Sequence, residues 1–149
     1  MELKSLLVDS KTTWVEFPGL DGFEVELANL SRKELVNLRK KCTTNKFNRK
    51  TRGFEESLDE DKFVKEFSEA TIKNWKGLKL SYLEDLVLVD LKNQDLDKEL
   101  DFSSENAQLL VENSSEFDNW LNEVVFDLDN FRTREQRKDS QKTGDIPTT

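Results

Sequence analysis

Thr13-Trp-Val-Glu-Phe17, then Pro18-Gly-Leu-Asp-Gly22, then Phe23-Glu-Val-Glu-Leu27 is the stretch on which the fold reading turns. Residues 13–17 and 23–27 alternate β-forming apolar residues with polar ones, and the five residues between them are dense in turn formers. The pattern predicts a β-hairpin over about 13–28, with Trp14, Phe23, Val25 and Leu27 supplying apolar surface and Glu24 and Glu26 pointing the other way. An isolated hairpin is marginal in water, so this one must pack on the helices behind it or pair with another chain.

Downstream the period changes to that of helices. Ser31 with Glu34 makes a capping box ahead of Leu35, Val36 and Leu38, which predicts a helix over about 31–43. The polar, basic run beyond it, 43–53, has too few apolar residues to build a face and reads as a loop. A second box, Ser57 with Glu60, opens a predicted helix over about 58–76, lined by Phe63, Val64, Phe67 and Ala70, widened by Ile72 and Trp75, and stopped at Gly77. A third box, Ser81 with Glu84, starts a segment over about 81–91 that is read as helix, although Leu86-Val-Leu-Val89 is too short for its period to separate helix from strand. Ser103 or Ser104 caps a helix over about 104–113. The last helix, about 116–134, carries the cleanest period: Phe117, Leu121, Val124, Leu128 and Phe131 step by four, three, four and three, with Trp120 and Val125 beside them. The expected fold is mainly α with a small N-terminal β-hairpin (α+β). Residues 1–131 form one mostly helical domain, and 132–149 form a polar tail read as disordered.

Composition narrows the chemistry. The 149 residues hold no histidine, which removes the commonest general base and the usual neutral metal ligand. One cysteine, Cys42, excludes an intramolecular disulfide and fits a reducing compartment. It has basic neighbours, Arg39, Lys40 and Lys41, but without histidine no Cys-His nucleophile can form, and an ordinary free thiol is the better reading. Acidic pairs such as Asp59, Glu60 and Asp61, Asp95 and Asp97, or Asp127 and Asp129 lack the glycine turn and terminal Glu of a calcium loop, and read as solvated surface. No phosphate-cradling glycine loop is present. The expectation is a protein that is not an enzyme and uses no cofactor and no metal. No apolar run approaches the roughly 20 residues of a membrane span, and the N-terminus lacks the pattern of a signal peptide, so the reading is a soluble cytoplasmic protein with no membrane partner.

Charge is segregated along the chain. Residues 32–52 hold nine Lys or Arg against Glu34, a balance of +8, whereas 84–129 hold fourteen acids against Lys92 and Lys98, a balance of −12. The two can pair within one molecule, between copies, or with a partner of opposite charge. The cations Arg39, Lys40, Lys41, Lys46, Arg49, Lys50 and Arg52 are candidates for a charge-mediated contact, either a phosphate-binding loop or a docking loop for an acidic protein surface. Only Phe47 and Phe54 accompany them, thin interleaving for a single-strand stacking platform, and the net charge of −8 disfavours nucleic acid as a partner.

One further pattern spans about 55–131. Ala70-Thr-Ile-Lys-Asn-Trp75-Lys-Gly77-Leu78, an acidic linker, Phe102-Ser-Ser-Glu105-Asn106-Ala, and a terminal helix closing on Leu128-Asp-Asn130-Phe131 resemble the small tail assembly chaperones of long-tailed, siphovirus-like bacteriophages. The resemblance implies a non-enzymatic protein of the host bacterial cytoplasm, absent from the mature virion. Such a protein coats the tape measure protein, helps to recruit the major tail protein and self-associates. Trp75, Gly77, Phe102, Glu105 and Asn106 match at the turn and cap, which bears on folding and not on binding. For the client, the residues themselves offer Phe63, Phe67 and Trp75 on one helix face and Phe117, Trp120, Leu121, Val124, Leu128 and Phe131 on the terminal seam, although amphipathic helices ordinarily serve their own core. The alternative is a small phage regulatory protein that binds nucleic acid or a host protein through 39–52. A third reading is a structural tail component that stays in the virion.

Overall fold

Alternation in the N-terminal stretch does produce two paired strands, β1 (Thr12–Glu16) and β2 (Glu24–Ala28), antiparallel with Val15 opposite Val25. The computed structural model describes residues 2–7 and 11–132, and a short helix α1 (Leu3–Leu6) precedes the strands. Between β1 and β2 the chain closes through Phe17, whose amide donates to the Phe23 carbonyl. Ser31 caps α2 (Arg32–Lys41) by accepting from the Glu34 amide at 3.1 Å, while its hydroxyl donates to the Glu34 carboxylate, so half of the expected capping box forms.

The expectation of a mainly helical chain with one hairpin is overturned beyond this point. Residues read as a loop instead pair as β3 (Thr43–Asn48) and β4 (Gly53–Leu58), an antiparallel ribbon that is a sheet of its own. Helix α3 runs only over Glu60–Thr71, capped by Asp59 and not by Ser57. The chain then straightens into β5 (Ile72–Lys76), which pairs antiparallel with β2. The order β1-β2-β5 makes a three-stranded sheet where two strands were expected. Among the described residues the fold is thus mixed α+β, with five strands in two antiparallel sheets.

A bulge explains why β5 imitates a helix in sequence. The register steps from Glu26 opposite Asn74 to Leu27 opposite Ile72, which leaves Lys73 as the extra residue. Regular strand geometry would put Ile72 and Trp75 on opposite faces, whereas the bulge turns both into the core. Spacing by three is therefore met without a helix.

The remaining helices are α4 (Leu80–Leu86), α5 (Ser104–Asn113) and α6 (Ser115–Val125), followed by a 3-10 turn at Leu128–Phe131. The expected helix over 81–91 ends early, because Val87 is already extended, and the expected helix over 116–134 breaks at Phe126. Residues 133 and 134 of that helix, and the tail over 133–149, lie outside the described residues. One core joins the inner face of the three-stranded sheet to α3, α4, α5 and α6. Its centre is aromatic: Phe117 stacks with Phe17 and Phe23, and Trp120 meets Phe17 edge-on at 4.9 Å. Each such ring is worth about 1.5–3 kcal/mol in burial. Trp14, expected on the apolar side opposite the glutamates, instead pairs with Glu26 on the outer face of the sheet, where it is partly exposed and Lys76 both pairs with Glu24 and sits over the indole ring.

Candidate functional site

The terminal seam faces inward. Phe117 and Leu121 are fully buried, and Trp120, Val124 and Phe131 are buried with them against the sheet and α4. Leu128 alone among the seam residues stands out, at 59% exposure, because the helix ends before it and the 3-10 turn swings it outward. On the other proposed face Phe67 and Trp75 are core residues and Phe63 is partly buried, stacked on Phe67 at 5.7 Å. The structure thus brings both groups into one core and leaves little of either for a client to touch.

The basic residues fall on two elements. Arg39, Lys40 and Lys41 end α2, where cations favour the carboxyl end of the helix dipole. There Lys41 pairs with Glu66 at 3.1 Å, and Arg39 lies over the Phe63 ring. Lys46, Arg49, Lys50 and Arg52 belong to the β3–β4 hairpin and its turn. Among the described residues no ion pair reaches any of these four, and none joins 32–52 to the acidic 84–129 segment. The tip is shaped by Asn48, which accepts from the Lys50 amide and donates to the Glu55 carboxylate, and by Arg52 at a positive φ of 54°.

What sequence reading missed on this hairpin is its aromatic face. Phe47 sits directly opposite Phe54, and the rings meet edge-on at 5.6 Å with 57% and 75% of each residue exposed. Phe47 is the one apolar residue of Thr-Thr-Asn-Lys-Phe-Asn, so no alternation marks the strand, and two rings among so many cations do not look like a strand pair. Behind them Cys42 is fully buried at the base of the hairpin, where its carbonyl accepts from the Asp59 amide at 2.8 Å.

The acidic pairs serve the backbone. Asp59 caps α3, while Asp95 and Asp127 each accept from the amide two residues on, so the repeated Asp-Leu-Asp spacing makes the same local turn twice. Among the described residues no group of three or more His, Cys, Asp or Glu is arranged to hold a metal ion. No helix there is long and apolar enough to cross a membrane.

A second feature was not expected. Between the end of α4 and the outer side of α5 runs an open apolar groove of about 450 Å³, walled by Val87, Leu88 and Val89 on one side and Leu109 on the other, with Leu83 and Leu110 beneath. Leu88 is completely exposed and Leu109 is 47% exposed. The apolar run 86–89 was visible in the sequence as an element's interior. It serves as a groove wall because α4 stops at Leu86 and the chain beyond it is extended. Fold and surface together define a small α+β protein with one apolar groove in its acidic half and one aromatic, basic ribbon in its other half. No protein-family model, no curated protein and no solved structure matches the chain.

Proposed function

We propose that this protein is a non-enzymatic assembly chaperone of a bacteriophage tail. It keeps the tape measure protein soluble in the host cytoplasm, helps to bring in the major tail protein, and is left out of the finished particle. The observation that carries this reading is the joint made by the two stretches that resemble such chaperones. Trp75, from 70–78, donates its indole N–H to the Leu100 carbonyl at 2.9 Å and meets the Phe102 ring edge-on at 5.2 Å. Ser103, beside Phe102, caps α5 by accepting from the Asn106 amide at 3.0 Å. The two stretches that carry the resemblance, about 25 residues apart in the chain, thus meet in one joint.

The chemistry of the surface fits the same role. A carrier of apolar helices needs exposed apolar side chains within a charged, soluble exterior. Here Leu3, Leu6, Leu7, Leu88, Leu109 and Leu128 are exposed on a chain of net charge −8. The test is co-expression with the tape measure protein that the proposal names as its client. The expected result is a soluble complex that purifies together. A tape measure protein as insoluble with this chain as without it overturns the reading, as does mass spectrometry that finds the chain retained in stoichiometric amount in purified particles.

A further inference from the structure

Two surfaces of this molecule are incomplete in complementary ways. Among the described residues the β3–β4 ribbon has no strand partner beyond its own two strands and no ion-pair partner for Arg49, Lys50 and Arg52 at its tip, and it projects the Phe47–Phe54 pair into solvent. A two-stranded ribbon with an uncovered apolar face is marginal on its own. The groove beside α5 is lined by apolar side chains and two asparagines, and acids flank it where the ribbon tip carries cations. Glu105 and Glu112 lie four residues before and three residues after Leu109 on α5, so they flank it on the same helix face, and Asp90 directly follows Val89.

We propose that a second copy of this chain fills the groove. The ribbon of one copy lays Phe47 and Phe54 between α4 and α5 of the next, with Arg49, Lys50 and Arg52 against Asp90, Glu105 and Glu112. Size permits this: a cavity of about 150 Å³ takes up one benzene ring, and the groove is about 450 Å³. Neither ring lines the groove of its own molecule. Charge selects the occupant. Nucleic acid meets a cationic tip but also the strongly acidic remainder of the chain, which repels phosphate, whereas a second copy presents acids to the tip and an apolar wall to the rings. Because the two patches differ, the contact is head-to-tail and can repeat from copy to copy. The inference stands on these two surfaces and does not depend on the client named above, since it is measured on the purified chain alone.

The test is sedimentation velocity of the full chain with two variants placed on exposed residues, R49E/K50E/R52E at the tip and L88E/L109E at the groove. Circular dichroism and the thermal midpoint check that both fold as the parent does. The contact is of the small, weak class, so the parent's apparent mass is expected to rise with concentration up to about 1 mM, and to fall back in about 0.5 M salt. Each variant alone loses association by at least about tenfold. Mixed, they form a one-to-one heterodimer that grows no further, because one supplies an intact groove and the other an intact ribbon. Adding E105K/E112K to the tip variant restores its self-association. A parent that stays monomeric throughout overturns the proposal, as does a mixture that yields no heterodimer, or association that both variants leave unchanged. Binding of an oligonucleotide of about 20 residues at low salt, lost in the tip variant and without self-association of the parent, assigns the ribbon to nucleic acid and also overturns it.

Discussion

Gly77 rests against the backbone carbonyl of Gly22, so closely that a Cβ built on Gly77 would overlap it. The contact clamps the end of β5 to the turn between β1 and β2, and Gly77 adopts a φ of +77° to make it. Two independent penalties therefore meet at one residue, the left-handed backbone and the steric overlap with an atom that cannot rotate away. Gly77→Ala is expected to cost at least about 2 kcal/mol, the backbone share alone being about 1–3 kcal/mol. Gly19 has a similar φ but open space around it, so Gly19→Ala is expected to lose the backbone share alone, about 1–2 kcal/mol. Urea denaturation of both variants checks the difference, and equal losses would mean that the Gly22 contact is unimportant.

Two residues before that clamp, Trp75 ties the sheet to the long connection that leads into α5. Its indole N–H donates to the Leu100 carbonyl, and its ring packs edge-on against Phe102. Trp75→Phe keeps an aromatic ring but leaves that carbonyl without its donor, for an expected loss of about 1–3 kcal/mol together with some packing. A double-mutant cycle with Phe102→Leu should return a coupling of about 0.5–1.5 kcal/mol from the ring pair. Near-zero coupling would show that the two sites are energetically independent.

Local signals in this sequence were legible where the structure is local. Ser31 and Ser103 sit at the helix starts the capping pattern assigns, because an N-cap needs only its own side chain and an amide three residues on. Long-range choices were not legible. Ile72 and Trp75 follow α3 at helical spacing, and only the partner strand β2 with its bulge makes that spacing extended. Phe47 and Phe54 are apolar residues in a polar run, and nothing short of their pairing across the turn reveals a ribbon. The groove was hidden for a related reason: the run 86–89 carries the composition of an interior, and its exposure comes from where α4 stops.

Capping itself gives a sharp contrast. Ser103 accepts from the Asn106 amide, whereas Ser81, which reads equally well as a cap, lies inside α4, where Lys79 holds the N-cap position without a side-chain bond. Ser103→Ala is expected to destabilise by about 1 kcal/mol. Ser81→Ala should change stability by less than about 0.5 kcal/mol, since alanine is the better helix former and no cap is lost. Thermal midpoints measured side by side decide it, and a larger loss at Ser81 would contradict the helix start.

The seam of α6 bears most directly on function, because the residues the sequence offers to a client are the ones that build the core. Phe117 and Leu121 are fully buried, and Phe117 stacks on both Phe17 and Phe23, so truncating them opens cavities at the centre of the molecule. Leu121→Ala is expected to cost about 2–5 kcal/mol and Phe117→Ala about 3–5 kcal/mol. Leu128, exposed on its 3-10 turn, should lose less than about 0.5 kcal/mol as alanine. If the seam is core, loss of client solubilisation in Phe117→Ala or Leu121→Ala tracks the fraction unfolded, and Leu128→Ala keeps both stability and whatever binding does not use Leu128. Loss of client binding by a fully folded Leu121→Ala chain would instead require the seam to open during function. Denaturant midpoints and co-purification of the client, measured on the same three variants, separate the two outcomes.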